Sequence, residues 1–182
     1  MEQIRVGFGF DVHPFEKESK DREAGEAQSS VVRDETTQNI TDDRCLVLGG
    51  VKFDGMPPLL GHSDADALAH AVSDAMLGAA GMGDIGMMFP DDNESYKNAD
   101  SLWMLSVIAE RLSQDGWHLL NADCTVVTEK PKLAPVIKEI IGKLSEAAKG
   151  QVHVKATRPE QLGALGRNEG LACFAVALIG RS

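Results

Sequence analysis

Asp11-Val12-His13 places a carboxylate and an imidazole two residues apart. On an extended chain, side chains at i and i+2 leave the backbone on the same side. A hard oxygen and a ring nitrogen would then face one site, a reasonable start on a zinc-binding set. Taken alone, the commoner reading is a capped turn ahead of Pro14. A second group follows in the run from Gly61 to Asp74, GHSDADALAHAVSD. Asp66, His70 and Asp74 fall at i, i+4 and i+8, which is one face of a helix. A face otherwise made of Ala, Leu, Val and Met has no packing use for two carboxylates and an imidazole. Burying them unpaired would cost several kcal/mol, so that face meets solvent or lines a polar site. His62 and Ser63 stand at the expected start of this helix, where the helix dipole favours a phosphate.

Two further stretches carry polar groups. Residues 83–93, GDIGMMFPDDN, combine Gly, Pro and acids in a turn-rich loop able to shape a pocket. Residues 155–167 leave a strand and gather Lys155, Thr157, Arg158, Glu160 and Arg167. Thr and Arg can hold phosphate oxygens, and a glutamate beside them suits Mg²⁺ or Mn²⁺.

These groups need elements to position them. Residues 4–10 read as a strand, and residues 45–48 and 51–53 as a hairpin over Gly49-Gly50. Residues 63–80 read as a helix with Ser63 and Asp66 as its capping pattern. Residues 100–114 form an amphipathic helix, with Leu102, Leu105, Ile108, Ala109 and Leu112 at helical spacing. A strand at 119–128, a helix at 131–149 opened by Pro131 and stopped by Gly150, and strands at 152–156 and 171–179 follow. Interleaved strands and helices point to an α/β (α+β) domain, a mixed sheet with helices packed on it.

Residues 16–44 stand apart, with nine acids, five bases and no aromatic residue. Such a segment buries too little apolar surface to offset its ordering entropy, and it reads as a mobile acidic insertion in a single domain spanning 1–182.

The composition excludes several classes. Of 182 residues, 43% are hydrophobic and 25% charged, which are ordinary globular values, and the net charge is -10. Nucleic-acid binding requires a cationic surplus and is not expected. No apolar run is long enough to span a membrane. Three scattered cysteines, Cys45, Cys124 and Cys173, and no basic-apolar start point to a cytoplasmic protein.

In order along the chain, these fragments form a specific pattern. GFGFDVHPF, LGG, LLGHSDADALAHAVSDAMLGAAGMGDIGMMFPD, NADCTVV, VKAT and LGALGRNEGLACFAVAL together resemble the 2-C-methyl-D-erythritol 2,4-cyclodiphosphate synthases. The resemblance covers nearly everything except 16–44. It implies a four-stranded-type mixed sheet with helices on one face, and a homotrimer with active sites between neighbouring subunits. It implies a lyase of non-mevalonate isoprenoid biosynthesis acting on 4-diphosphocytidyl-2-C-methyl-D-erythritol 2-phosphate. The 2-phosphate attacks the β-phosphorus, closing the cyclic diphosphate and releasing CMP.

The resemblance also implies residue roles. Asp11, His13 and His70 would hold Zn²⁺. Glu160 would hold a second divalent ion, Mg²⁺ or Mn²⁺, with the substrate phosphates. His62 and Ser63 would contact phosphates, with His62 and Arg158 as transition-state stabilisers beside Glu160. Asp84, Ile85 and Gly86 would meet the methylerythritol hydroxyls. Phe89, Pro90, Asp91, Asp92 and Asn93 would form a substrate-binding loop. Lys130, Pro131, Lys132, Leu133, Ala134, Pro135 and Val136 would shape the cytosine and ribose pocket, Thr157 and Arg167 would also bind substrate, and Lys155 would sit near the phosphates. The chain departs from the common pattern at Arg158 and Pro159, where a second Thr is frequent, and at Asn93, where an Asp is frequent. Some members line a threefold-axis cavity for an isoprenoid diphosphate with Arg, an aromatic and Glu. Here Arg167 is present, while Ala164 and Phe174 take the other positions. Two other classes compete, a metal-dependent phosphoesterase and a non-catalytic nucleotide-binding protein.

Overall fold

A computed structural model of the chain describes residues 3–16, 44–90, 92–96 and 99–181. The expected insertion therefore lies outside the described residues, apart from its end residues Glu16 and Arg44, and so does Asp91 of the expected loop. Strands β1 (Gln3–Pro14), β4 (His118–Val127), β5 (Gln151–Thr157) and β6 (Gly170–Arg181) form one sheet in the order β1-β6-β4-β5. β6 runs antiparallel to β1 and β4, and β4 is parallel to β5, so the sheet is mixed, as expected. A parallel pair needs a long crossover, which here carries α4 (Ile137–Ala147). β2 (Leu46–Leu48) and β3 (Val51–Phe53) form the separate hairpin over Gly49-Gly50, both at positive φ.

Alternation along β1 sorts its faces. Gly7 and Gly9 point inward, while Ile4, Val6, Phe8, Phe10 and Val12 stand exposed. The two glycines matter because α1 (Ala67–Ala80) lies directly on them. A Cβ at Gly7 would stand 2.0 Å from the Ala75 carbonyl oxygen, and one at Gly9 would stand 1.9 Å from that of Ala71. Backbone-to-backbone approach of this kind brings the far end of β1 beside His70 of α1. Leu68, Val72, Met76 and Leu77 of α1 are fully or almost fully buried, as are Leu105, Ile108 and Leu112 of α3 (Ser101–Gln114). Asp100 caps α3 by accepting from Leu102 and Trp103 N–H.

Several elements near the site differ from expectation. α1 begins at Ala67, not at 63, because Ala65 sits at φ +55 and Asp66 is the N-cap, its side chain accepting from Ala69 N–H. The helix expected from Pro131 begins at Ile137, and Pro131 follows a cis peptide bond in a turn-rich segment. Short helices α2 (Ile85–Met88) and α5 (Gly163–Gly166) and a 3-10 turn at Glu94–Tyr96 interrupt stretches read as loop. β1 runs on past residue 10 to carry both Asp11 and His13.

The chain on either side of residues 17–43 is tied together. Phe15 forms an antiparallel bridge to Leu59, Glu16 N–H donates to Pro58 O at 2.8 Å, and Arg44 pairs with Glu16 at 3.0 Å.

Candidate metal and phosphate site

Asp11 and His13 lie on β1 with their side chains on one side, as the i, i+2 spacing requires. α1 delivers His70 to the same point. His13 Nε2 is 3.0 Å and His70 Nδ1 is 3.2 Å from Asp11 Oδ2, and the three ligand atoms all lie within 4.8 Å of one another. The outer nitrogen of His13, Nδ1, faces the Leu60 carbonyl at 2.6 Å. A carbonyl only accepts, so Nδ1 carries the hydrogen and Nε2 turns its lone pair, or a second proton, toward Asp11. Two imidazole nitrogens and a carboxylate oxygen with oriented rings are a donor set that fits zinc, with room for one exogenous ligand.

The electrostatics match that reading. Burial pulls the Asp11 carboxyl up, but the hydrogen bonds and charges of His13 and His70 outweigh it and bring it down to about 2. The His13 imidazole is raised by its hydrogen bond to Asp11, against the effect of its own burial. An anionic Asp11 therefore holds its neighbours in place and attracts a cation.

A cavity of about 250 Å³ opens beside the three ligands, lined in part by His62, Ser63, Ile85, Gly86, Phe89 and Asn93. The structure thus brings together residues expected from three separate stretches. His62 and Ser63 do not cap a helix, contrary to the sequence reading. They precede α1 by several residues, and the Asp66 side chain takes the Ala69 N–H at its start. Asp66 does not face the cavity either. It is fully buried and accepts from Gly49 N–H at 2.9 Å and Gly50 N–H at 2.7 Å, which pins the hairpin to α1. Burial pushes its carboxyl up. Asp74 accepts from Ile85 N–H at 2.8 Å and Asp84 from Met87 N–H at 2.9 Å, so both carboxylates hold the Ile85-Gly86 wall. Burial pushes the Asp74 carboxyl up against that hydrogen bond. Pro90 and Asp92 are exposed.

Other expected residues gather elsewhere. Pro131, Lys132, Leu133, Ala134, Thr157 and Arg158, with Thr128, Glu129 and Ala156, line a second cavity of about 280 Å³. It shares no lining residue with the first. Leu133 is itself buried. Lys130, Pro135 and Val136 flank this segment in sequence, and Val136 is the N-cap residue of α4. Glu160 is exposed at φ +54, just past β5. Lys155 pairs with Asp123 across the parallel strands, and Arg167 pairs with Glu169 at 2.6 Å. Phe174 packs its ring 4.9 Å from that of Phe10, and Ala164 is exposed.

Sequence reasoning missed three supports: the Leu60 carbonyl, Ser101 and Asp64. Ser101 Oγ is 2.9 Å from His70 Nε2 and hydrogen-bonds Asp64. No local pattern links residues this far apart in sequence. Cysteine chemistry is excluded at two of the three thiols. Cys124 and Cys173 are buried, and burial pushes the Cys124 thiol up to about 12.

Comparison with known proteins agrees with this geometry. The YgbB family model matches residues 4–180. The curated 2-C-methyl-D-erythritol 2,4-cyclodiphosphate synthase of Geobacillus kaustophilus is 44% identical over 182 residues, covering 98% of this chain and 99% of that one. The synthase of Listeria monocytogenes serotype 4a is 42% identical over 179 residues, covering 97% and 98%. Among solved structures, the Plasmodium falciparum IspF CDP complex aligns with TM-score 0.73 and 28% identity over 99% of this chain and 97% of that one. The bifunctional IspDF of Campylobacter jejuni aligns with TM-score 0.82 and 32% identity over all of this chain, which spans 43% of that longer protein. On nearly its whole length, the chain belongs to the YgbB family, alongside the curated 2-C-methyl-D-erythritol 2,4-cyclodiphosphate synthases.

Proposed function

We propose that the protein converts 4-diphosphocytidyl-2-C-methyl-D-erythritol 2-phosphate into 2-C-methyl-D-erythritol 2,4-cyclodiphosphate and CMP. A 2-phosphate oxygen bonds to the β-phosphorus, and the bond from that phosphorus to the bridging oxygen breaks. CMP leaves with the bridging oxygen, so no water is consumed. The observation that carries the reading is the convergence of Asp11, His13 and His70 beside the cavity of His62, Ser63 and Gly86. The nucleophile belongs to the substrate, so the protein's task is to position it and offset its charge.

Asp11, His13 and His70 would hold Zn²⁺, which when bound supplies a Lewis acid for a phosphate oxygen. Ser63 and His62 offer donors to phosphate oxygens from the cavity wall. Ile85 and Gly86, held by Asp74 and Asp84, present backbone to the sugar hydroxyls. The segment 130–136 offers backbone groups to cytosine, and Thr157 and Arg158 offer donors to the diphosphate. Exposed Glu160 offers one carboxylate, an ordinary protein share for Mg²⁺ or Mn²⁺ held largely by phosphates.

This chemistry makes the protein a phosphorus–oxygen lyase of the non-mevalonate pathway, working in the cytoplasm. It acts as a homotrimer, with the first cavity of one copy facing the second cavity of its neighbour. Two features support assembly. The two groups of expected site residues line separate cavities of one chain. The sheet face away from the helices exposes Val6, Phe8, Phe10, Phe174 and Val176 side by side, and a clustered apolar patch of this kind marks an interaction surface.

Incubation with the CDP-linked substrate and Mg²⁺ tests the reading. CMP and cyclic diphosphate should appear in equal amounts. Release of inorganic phosphate with no cyclic product would establish the phosphoesterase instead.

A further inference from the structure

Ser101 is fully buried at the first turn of α3, yet its hydroxyl is not idle. It lies 2.9 Å from His70 Nε2 on one side and hydrogen-bonds Asp64 Oδ1 on the other. Asp64 also accepts two backbone hydrogen bonds, from Ser101 N–H to Oδ2 and from Asp66 N–H to Oδ1, each at 3.2 Å. A carboxylate so placed only accepts. A serine hydroxyl has one hydrogen, and this one is committed to Asp64. What Ser101 turns toward His70 is therefore a lone pair, and Nε2 must carry the hydrogen. Nδ1 faces Asp11 Oδ2 at 3.2 Å on the side of His13, and it holds either a second proton that it donates to Asp11 or, where a cation takes that proton's place, a lone pair.

We propose that Ser101 and Asp64 are positioning residues that fix His70 as the Nε2–H tautomer and aim its Nδ1 at the metal. The inference rests on the ligand reading of Asp11, His13 and His70. It adds a directed chain, from His70 Nε2–H to Ser101 Oγ–H to Asp64, running from the ligand into the start of α3. The chain has a consequence for substrate as well. Ser63 Oγ also lies 3.2 Å from His70 Nε2, and it accepts from Ala65 N–H. With Nε2 as donor, His70 makes no demand on the Ser63 hydrogen, and Ser101 Oγ, 3.5 Å from Ser63 Oγ, is a distant acceptor that an anion in the cavity can replace.

Two measurements decide the matter. The first uses unmodified, metal-free protein labelled with ¹⁵N-histidine at about pH 9, above the ordinary imidazole range. Long-range ¹H–¹⁵N spectra should show His70 protonated at Nε2, and protonation at Nδ1 with a bare Nε2 overturns the proposal. The second uses Ser101→Ala, checked for folding by circular dichroism. Zinc affinity, measured by competition with a chromophoric chelator, should fall about 10- to 100-fold, and His70 should populate both tautomers. Unchanged zinc affinity or an unchanged tautomer in the folded variant overturns the proposal. Should Ser101→Ala fail to fold, the spectrum of the unmodified protein decides alone. Should the unmodified protein take up no zinc, the ligand reading fails, while the tautomer measurement still tests the relay.

Discussion

Asp11 and His13 share a side because β1 is extended there, and His70 meets them because α1 lies on the glycines of the same strand. The pair was legible from its two-residue spacing. The imidazole was legible as a polar group with no packing use on an apolar helix. Its supports were not, since Leu60 is 47 residues from His13 and Ser101 is 31 from His70. Removing one ligand should abolish metal binding without unfolding the chain. His13→Ala is expected to lose zinc and cyclase activity while keeping its circular dichroism spectrum, and a zinc-replete, active variant would refute the assignment. Proton competition sets the pH response. Zinc must displace any proton on His13, whose pKa lies above 6.5 in the metal-free protein. Apparent zinc affinity should therefore begin to fall while the pH is still above 6.5 and keep falling on acidification, as read by chelator competition. The Asp11 carboxyl has the opposite sign. It is depressed to about 2, so its share of stability is present above its ordinary value and is lost only as pH falls toward 2.

At the level of elements, the order of strands and helices was readable from periodicity and punctuation. The boundaries near the site were not, because tertiary bonds override local preference there. Asp66 illustrates this. By helical spacing it belonged with His70 and Asp74, yet it is the N-cap, and it gathers N–H groups from Ala69, Gly49 and Gly50. Its truncation removes a cap and strands three donors. Asp66→Ala should cost about 3 kcal/mol or more in denaturant unfolding. A loss below about 1 kcal/mol, the size of an ordinary exposed cap, would show that water replaces the carboxylate. The segment 131–136 is the other case. Its proline marked a helix start by rule, but the helix waits until Ile137, and the freed backbone lines the second cavity.

For the whole molecule, low aromatic content gave no warning that three of the six phenylalanines would share one exposed sheet face. Phe8 and Phe10 of β1 sit beside Phe174 of β6, with ring centroids 6.4 and 4.9 Å from it. If that face is the trimer interface, a charge there should break it. Phe8→Glu is expected to sediment as a smaller species with little activity, and a variant that still sediments as a trimer would place the interface elsewhere. The acidic segment makes the opposite prediction. Deleting residues 19–42 leaves three residues, 17, 18 and 43, between Glu16 and Arg44, which already touch at 3.0 Å. Loop closure then becomes cheaper by about 1–2 kcal/mol. The shortened protein should sediment unchanged and melt no lower than the parent.

That tied neck also defines a port. Glu16 and Arg44, the described residues on either side of 17–43, lie at adjoining points. Glu16 follows His13 by three residues, and Arg44 and Cys45 line a third cavity that shares Gly61 and Ser63 with the metal-side one. A fluorescent protein whose own ends lie close together could be spliced between Glu16 and Arg44 without stretching either strand. Its emission would report on events at Ser63, turning the enzyme into a sensor of its own ligand.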